Sequence, residues 1–174
     1  MTAEQTPAPA VTPASFRAAL GSFPTGVTVM TAVVDGVPHG MTANAVSSVS
    51  LEPPMVLVCV DRTAHMASVV EHAGRFALSI LAADQAALST HFADPARGLG
   101  PHEFDGVEVV TGRLGVPLVA GAVAHLECDV DRVVPAGDHL VVLGAVQALD
   151  TSTRAPLAYL RGRYGTVEQA PTFG

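Results

Sequence analysis

The most regular pattern in this sequence is an alternation of apolar and polar residues between positions 122 and 134. The apolar set comprises Ala124, Leu126, Cys128 and Val130, and the polar set comprises His125, Glu127, Asp129 and Asp131. Successive side chains of a β-strand point to opposite faces, so this period of two predicts a half-buried strand with a solvated polar face. Residues 135–138 (PAGD) predict a turn, and residues 139–149 predict a second long strand that completes a hairpin.

Other segments also have the composition of strands: residues 26–34, 37–45, 55–60, 76–81 and 157–160. The first two flank Asp35-Gly36, a dipeptide that favours the tight turn of a β-hairpin. The third and fourth are continuous apolar runs, which predict fully buried strands. The fifth predicts a last short strand before a glycine-rich tail.

Three short helices are predicted between these strands, over residues 16–20, over residues 64–73, and over a segment in which Leu88 and Phe92 lie one turn apart. Ser15 and Asp84 are the predicted N-caps of the first and third helices. Gly21 and Gly74 are predicted to end the first two. Many antiparallel strands with so few helices predict a closed β-barrel, which leaves no exposed sheet edge.

The chain is predicted to hold one domain over residues 15–167. Residues 1–14 are proline-rich and lack hydrophobic periodicity, so they are predicted to be a disordered tail, and residues 168–174 a C-terminal tail. Hydrophobic residues make up 49% of the chain and there is no tryptophan, so the core is expected to be aliphatic.

Charge and cysteine usage narrow the class of protein. A net charge of −7 disfavours nucleic-acid partners, which need a basic surface. All nine cations are arginine, so lysine-dependent chemistry is excluded. There is no secretory signal and no apolar run of the roughly 20 residues that cross a membrane, so a cytoplasmic protein without membrane contact is expected. Cys59 and Cys128 stand alone among apolar residues and are expected to be free thiols.

Two segments are candidates for ligand binding, although neither a G-x-G-x-x-G nor a Walker A motif is present. Residues 39–50 (HGMTANAVSSVS) carry small and hydroxyl side chains that let a flat ligand approach the backbone, or that satisfy the loop's own backbone. Residues 61–66 (DRTAHM) lie where a buried strand meets a helix, which predicts either an anion site or an ordinary capped helix.

The remaining polar residues give weaker signals. His139 opens a strand after a Gly-Asp turn, where an imidazole can hydrogen-bond a ligand, and His91 lies beside Phe92 near the end of a helix. Residues 161–164 (RGRY) offer two cations and an aromatic ring that would clamp a phosphate or decorate the surface. No metal site is predicted, because the polar set of the 122–134 strand is spaced along the strand rather than converging.

Several segments in this order are together similar to the flavin reductase-like family. They are residues 23–29 (FPTGVTV), 40–44 (GMTAN), 47–54 (SSVSLEPP) and 137–139 (GDH), supported by residues 88–93, 121–128 and 159–164. The resemblance spans about residues 15–167. It implies a mainly β fold, an antiparallel Greek-key split β-barrel of the FMN-binding type with a few short α-helices.

The resemblance also implies where the cofactors lie. By motif position the flavin residues are His39, Gly40, Met41, Thr42, Asn44, Ala45, Cys59, Val60, Asp61, His65, Met66, His91 and Phe92. The NAD(P)H residues are His139, Tyr159, Leu160, Arg161 and Gly162. Thr42 and Asn44 are expected to position the flavin. His139 is the implied catalytic residue, which orients the nicotinamide without a covalent step.

The implied function is that of an NAD(P)H:flavin oxidoreductase. Such a protein reduces FMN or FAD by hydride transfer from NADH or NADPH, works as a homodimer and supplies reduced flavin to a partner monooxygenase. Ala45, Val46 and Leu140 depart from the family pattern, at positions next to the flavin and nicotinamide segments. Two alternatives stay open: a flavin carrier or sensor without turnover, and a split-barrel ferric reductase or oxidase that retains its flavin.

Overall fold

The computed structural model describes residues 10–100 and 102–168, which form three short helices and an antiparallel, mainly β body. The helices are α1 Pro13–Leu20, α2 His65–Ala73 and α3 Ala86–Ala93. The strands are β1 Thr25–Gly26, β2 Thr28–Val34, β3 Val37–Ala43, β4 Val46–Leu51, β5 Pro54–Asp61, β6 Arg75–Ile80, β7 Val109–Thr111, β8 Pro117–Val119, β9 Ala124–Ala136, β10 His139–Thr151, β11 Leu157–Leu160 and β12 Arg163–Thr166. In the described residues, no helix is long and apolar enough to cross a membrane.

A seven-stranded antiparallel sheet forms the body, in the order β3-β2-β6-β9-β10-β5-β4. Its two edge strands, β3 and β4, follow one another in the chain and are joined only by Asn44-Ala45. Since two residues span only about 7 Å, the sheet must curl until its edges lie side by side. The curled sheet is a barrel that stays split between β3 and β4, so the predicted complete closure is wrong. Strands β1, β11 and β12 form a second sheet, and β7 and β8 a third.

Turn chemistry explains the two hairpins that the sequence predicts. Asp35 and Gly36 both have positive φ, 52° and 77°, as the tight turn between β2 and β3 requires. In the longer hairpin, β9 and β10 pair from Ala124 opposite Thr151 to Ala136 opposite His139. Both hairpin predictions are confirmed.

The barrel interior is aliphatic, as the composition predicts. Its largest buried cluster includes Met30, Val58, Phe76, Cys128 and Val142, which come from five different strands. The Phe76 ring needs a neighbouring glycine. A Cβ on Gly144 of β10 would lie 2.7 Å from Phe76 Cε1, so the ring occupies the space of an absent side chain. Cys59 and Cys128 are free thiols, as predicted.

Several local predictions are wrong. The N-cap of α1 is Thr12, whose side chain accepts the Ser15 N–H, so the helix begins inside the predicted tail. Residues 1–9 and 169–174 of the predicted tails lie outside the described residues. The residue before α3 is Gln85, and Asp84 instead forms an ion pair with Arg154 at 2.5 Å. Strand β5 alternates buried and half-buried positions rather than being buried throughout.

Two further corrections concern the sheet. Strands β4 and β12 were expected to be a hydroxyl-rich loop and a tail, but both pair with a neighbouring strand. The polar face of β9 was expected to be solvated, yet His125 and Glu127 are 9% and 4% exposed. The β7–β8 hairpin covers them: Glu127 accepts the Arg113 and Leu114 N–H groups, and a ring nitrogen of His125 bonds the Val119 carbonyl.

Candidate functional site

The end of β3 forms one wall of a cavity of about 470 Å³, a size within the roughly 300–1,000 Å³ of small-molecule sites. Met41 and Thr42 line it from β3, and Phe92 and Ala93 from the end of α3. The remaining lining residues come from the start of α2 and the loop after α3: Thr63, Ala64, His65, Met66, Pro95, Arg97 and Leu99. Five of the residues predicted to bind flavin, Met41, Thr42, His65, Met66 and Phe92, are thereby brought to one cavity.

Thr42 also lines a second cavity of about 180 Å³, together with Asn44, Ser89, Tyr159 and Tyr164. Its hydroxyl donates a 2.6 Å hydrogen bond to the Ser89 carbonyl, which fixes the side chain and leaves its oxygen free to accept. The Ser89 hydroxyl lies 2.9 Å from the Tyr164 hydroxyl. These contacts connect α3, β3 and β12, which together form a polar wall of the second cavity.

Two more cavities share residues with the second one. Asn44 and Tyr159 line a cavity of about 220 Å³ under α1, where the buried Thr25 Oγ1 has no hydrogen-bond partner. Arg161 joins that cavity to one of about 720 Å³ along β11 and β12. The four cavities adjoin one another through these shared residues, and together we call them the groove; its walls carry polar, aromatic and aliphatic side chains.

Of the two predictions for residues 61–66, an anion site or an ordinary capped helix, the start of α2 lacks the side-chain cap of the second. Its N-cap is Ala64, which has no side chain to accept the free N–H groups of the first turn. Asp61 lies nearby, and its carboxylate accepts the N–H and the hydroxyl of Thr63, both at 2.7 Å. These two bonds lower the pKa of Asp61, so the carboxylate is ionised at neutral pH and orders Thr63. An ionised carboxylate repels a phosphate, so Asp61 does not bind one itself. Its role at this end of the site is to order Thr63.

His139 is half-buried in the turn between β9 and β10, directly opposite Asp61 of β5. Its Nδ1 lies 2.8 Å from the Asp138 carboxylate, and this bond lowers the pKa of Asp138. The Arg62 N–H donates to the Asp138 carbonyl at 3.0 Å, which ties the turn to the start of α2. His139 therefore stands beside the α2 end of the groove, although its side chain lines none of the four cavities.

The other predicted residues fall into three groups. Three lie behind the cavity wall, in β3 or the end of α3: His39, Gly40 and His91. Three lie where β4 meets β5: Ala45, Cys59 and Val60. Val60 is fully buried in the core, and the Cys59 N–H donates to the Ala45 carbonyl at 2.9 Å. The last two are at the groove's far end, where Leu160 lines the largest cavity and Gly162 forms the β11–β12 turn with φ of 78°.

Sequence reasoning missed the loop after α3, in which it placed no candidate site residue. Arg97 from this loop lines the first cavity, and Glu103, which is 1% exposed, forms an ion pair with it at 2.8 Å. A charged pair within one loop has no periodicity, so its burial could not be seen in the sequence. In the described part of the chain, no cluster of three or more metal-ligating side chains occurs.

Comparison with known proteins places this chain in a family. Residues 20–168 match the flavin reductase like domain. The chain is 49% identical to an NADH-dependent FAD reductase of Streptomyces globisporus over 142 residues, which are 81% of this chain and 76% of that protein. It is 36% identical to HsaB of Rhodococcus jostii, the reductase subunit of a flavin-dependent monooxygenase, over 95% of this chain and 83% of that one.

A solved structure gives the same answer for the fold. The NADH:FAD oxidoreductase of Streptomyces globisporus, in complex with NAD and FAD fragments, superposes with a TM-score of 0.85 at 41% sequence identity. The match covers 96% of this chain and 100% of that one. The split-barrel prediction is confirmed. With the domain match over residues 20–168, these similarities establish that the chain belongs to the flavin reductase-like family of split-barrel oxidoreductases.

Proposed function

We propose that this chain is an NADH-dependent flavin reductase that binds FAD or FMN in the groove around Thr42 and Asn44. The observation that carries the proposal is the sharing of these residues between adjoining cavities, because Thr42 joins the first two and Asn44 the second and third. A tricyclic ring with a long polar substituent needs such an elongated groove. Two of the relatives are named NADH-dependent, which supports NADH as the donor, and NADPH stays an alternative.

The donors and acceptors in the groove suit a flavin. The Thr42 oxygen and the exposed Asn44 amide offer neutral hydrogen bonds to the polar edge of a ring. Met41 and Phe92 offer apolar contact for its faces. The uncapped first turn of α2 offers free N–H groups to a flavin phosphate, with the Asp61 carboxylate acting on Thr63 rather than on the ligand.

The protein's part in the reaction is to orient two ligands. A bound flavin accepts a hydride from reduced nicotinamide, which needs the two rings stacked at about 3–3.5 Å. His139, held by the Asp138 carboxylate, is the proposed residue for orienting the nicotinamide at one end of the groove. Tyr159, Leu160, Arg161 and Gly162 are the proposed contacts for the rest of the pyridine nucleotide. No side chain is needed as a nucleophile.

The proposal includes a homodimer in the cytoplasm that supplies reduced flavin to a monooxygenase. Helix α1 has no buried residue, although Phe16 and Leu20 lie on it, so a second copy of the chain is needed to cover this apolar surface. The two free thiols suit a reducing compartment. A reductase subunit of a monooxygenase is among the relatives, which supports a monooxygenase as the recipient of the reduced flavin.

A turnover assay tests the proposal. Purified protein is mixed with FAD or FMN and with NADH or NADPH, and the loss of nicotinamide absorbance is followed against a blank that holds flavin without protein. We expect saturable oxidation, fastest with NADH. Oxidation no faster than the blank, with flavin still bound, would overturn the enzyme and leave a flavin carrier. A protein that keeps its flavin through gel filtration would instead be an oxidase or ferric reductase.

A further inference from the structure

Glu103 is a buried carboxylate outside the residues assigned to either ligand. Its side chain is 1% exposed, and a buried charge costs several kcal/mol unless partners compensate for it. Oε1 accepts the Gly40 N–H at 3.0 Å and two N–H groups of Arg97, at 2.8 and 3.1 Å. Oε2 lies 3.3 Å from Nδ1 of His39. The carboxylate is therefore joined to β3, just before the strand lines the flavin cavity.

Arg97 is held in place by four hydrogen bonds. Besides the two to Glu103, its guanidinium donates to the Gly40 carbonyl and, at 2.9 Å, to the Asp94 carbonyl. Its central carbon lies 5.9 Å from the centre of the Phe92 ring, within cation–π range. Glu103 thus fixes the cation that lines the first cavity and, through it, the aromatic ring beside it.

Glu103 also contacts the other walls of the first cavity. Its backbone carbonyl lies 2.9 Å from Nε2 of His91, next to Phe92 in α3. His39, beside the carboxylate, packs edge-on against the His65 ring at the start of α2, with ring centres 4.8 Å apart. Glu103 therefore connects the three elements that form the first cavity: β3, α3 and the start of α2.

We propose that Glu103 is a positioning residue for the flavin, which holds Arg97 and the Gly40 peptide so that the first cavity is formed before the ligand arrives. The proposal rests on the proposed flavin site. A cavity formed in advance spares the ligand the cost of ordering its walls, so the effect of Glu103 is on flavin affinity. The proposed nicotinamide residues are His139, whose ring is hydrogen-bonded to Asp138, and Tyr159 to Gly162 at the far end of the groove, and Glu103 forms no hydrogen bond with any of them.

A second buried carboxylate provides a matched control. Glu127 is 4% exposed and accepts two backbone N–H groups, those of Arg113 and Leu114, where Glu103 accepts one from Gly40. Glu127 stands under the β7–β8 hairpin and lines none of the four cavities of the groove. The variants Glu103→Gln and Glu127→Gln therefore each replace a buried carboxylate that accepts backbone N–H groups, and only Glu103 lies at the proposed flavin wall.

The experiment compares flavin affinity in these two variants at a temperature where near-ultraviolet circular dichroism finds both folded. The dissociation constant of FAD is measured by quenching of its fluorescence, and flavin KM, NADH KM and kcat by turnover. We expect Glu103→Gln to raise the dissociation constant and flavin KM about tenfold, with NADH KM and kcat within about twofold of the unaltered protein. Glu127→Gln is expected to leave flavin affinity unchanged.

Two results would overturn the proposal: unchanged flavin affinity in Glu103→Gln, or an equal loss in Glu127→Gln, which would mean a general loss of stability. The double variant Glu103→Gln with Arg97→Lys should lose less flavin affinity than the two single losses combined, because the two residues share the Glu103–Arg97 contact. Additive losses would also count against it. If the unaltered chain binds flavin without turnover, only the proposal of a reductase is refuted. If it does not bind flavin, both proposals are refuted.

Discussion

At the scale of single residues, the contacts of Thr42 lead to a specific prediction about flavin binding. Its hydroxyl hydrogen is committed to the Ser89 carbonyl at 2.6 Å, and its oxygen faces two cavities. We predict that Thr42→Val, which keeps the shape and removes the hydroxyl, weakens flavin binding about threefold to tenfold, since a hydrogen bond contributes about 0.5–1.5 kcal/mol. Thr42→Ser keeps the hydroxyl and should bind normally. Fluorescence titration with FAD measures the affinity of each variant. Equal affinities of Thr42→Val and Thr42→Ser would rule out a hydrogen bond between the Thr42 hydroxyl and the flavin.

Cys128 gives a prediction about pH. Burial in the core, with smaller contributions from Asp129 and Glu127, raises its pKa from 9.0 to about 12. Between these values the unfolded chain releases the thiol proton and the folded chain keeps it, so stability falls as pH rises, by up to about 1.4 kcal/mol per pH unit. Urea denaturation at pH 7, 9 and 10 should therefore give a steeper loss for the unaltered protein than for Cys128→Ala. An equal loss of stability with rising pH in the two proteins would contradict the raised pKa of Cys128.

At the scale of elements, the close approach of β3 and α3 is the contact that shapes the groove. A Cβ on Gly40 would lie 2.5 and 2.7 Å from Phe92 ring atoms and 3.2 Å from Phe104. We predict that Gly40→Ala destabilises the protein by about 1–3 kcal/mol and weakens flavin binding, because Phe92 must move out of the cavity wall. Gly26→Ala, where a Cβ would have open space, is the control for both readouts. Normal flavin binding by Gly40→Ala would argue against a rigid wall.

Elements could be predicted from the sequence where local chemistry decides them. Asp35-Gly36 specifies its turn by itself, and the helix ending at Gly74 has an αL residue there, with φ of 66°. Strand β4 could not be found this way. Its serines do not alternate with apolar residues, and it forms because β5 offers a pairing edge. The burial of Glu127 likewise depends on a hairpin from another part of the chain, which periodicity does not register.

At the scale of the whole molecule, the family resemblance supplied what local pattern could not. Motif order indicated the flavin reductase-like family, and it named Met41, Thr42 and Asn44, which the fold brings to one groove. The Glu103–Arg97 pair had no such signal, because neither residue lies in a motif that carries the resemblance. Composition predicted an aliphatic core correctly, since the absence of tryptophan leaves valine, leucine and methionine to fill it.

The apolar surface around α1 leads to a prediction about assembly. Phe16, Leu20 and Phe23 are 58%, 53% and 69% exposed and line or flank the cavity that Thr25 and Arg161 share. A second copy packed there would bury these side chains and enclose the groove, so light scattering should give twice the 17.8 kDa of one chain. Leu20→Asp places a charge in that interface and should yield a monomer with slower flavin reduction. Leu149→Asp alters a leucine on β10 that is 65% exposed, more than Leu20, and should remain dimeric. A dimeric Leu20→Asp variant would place the interface elsewhere.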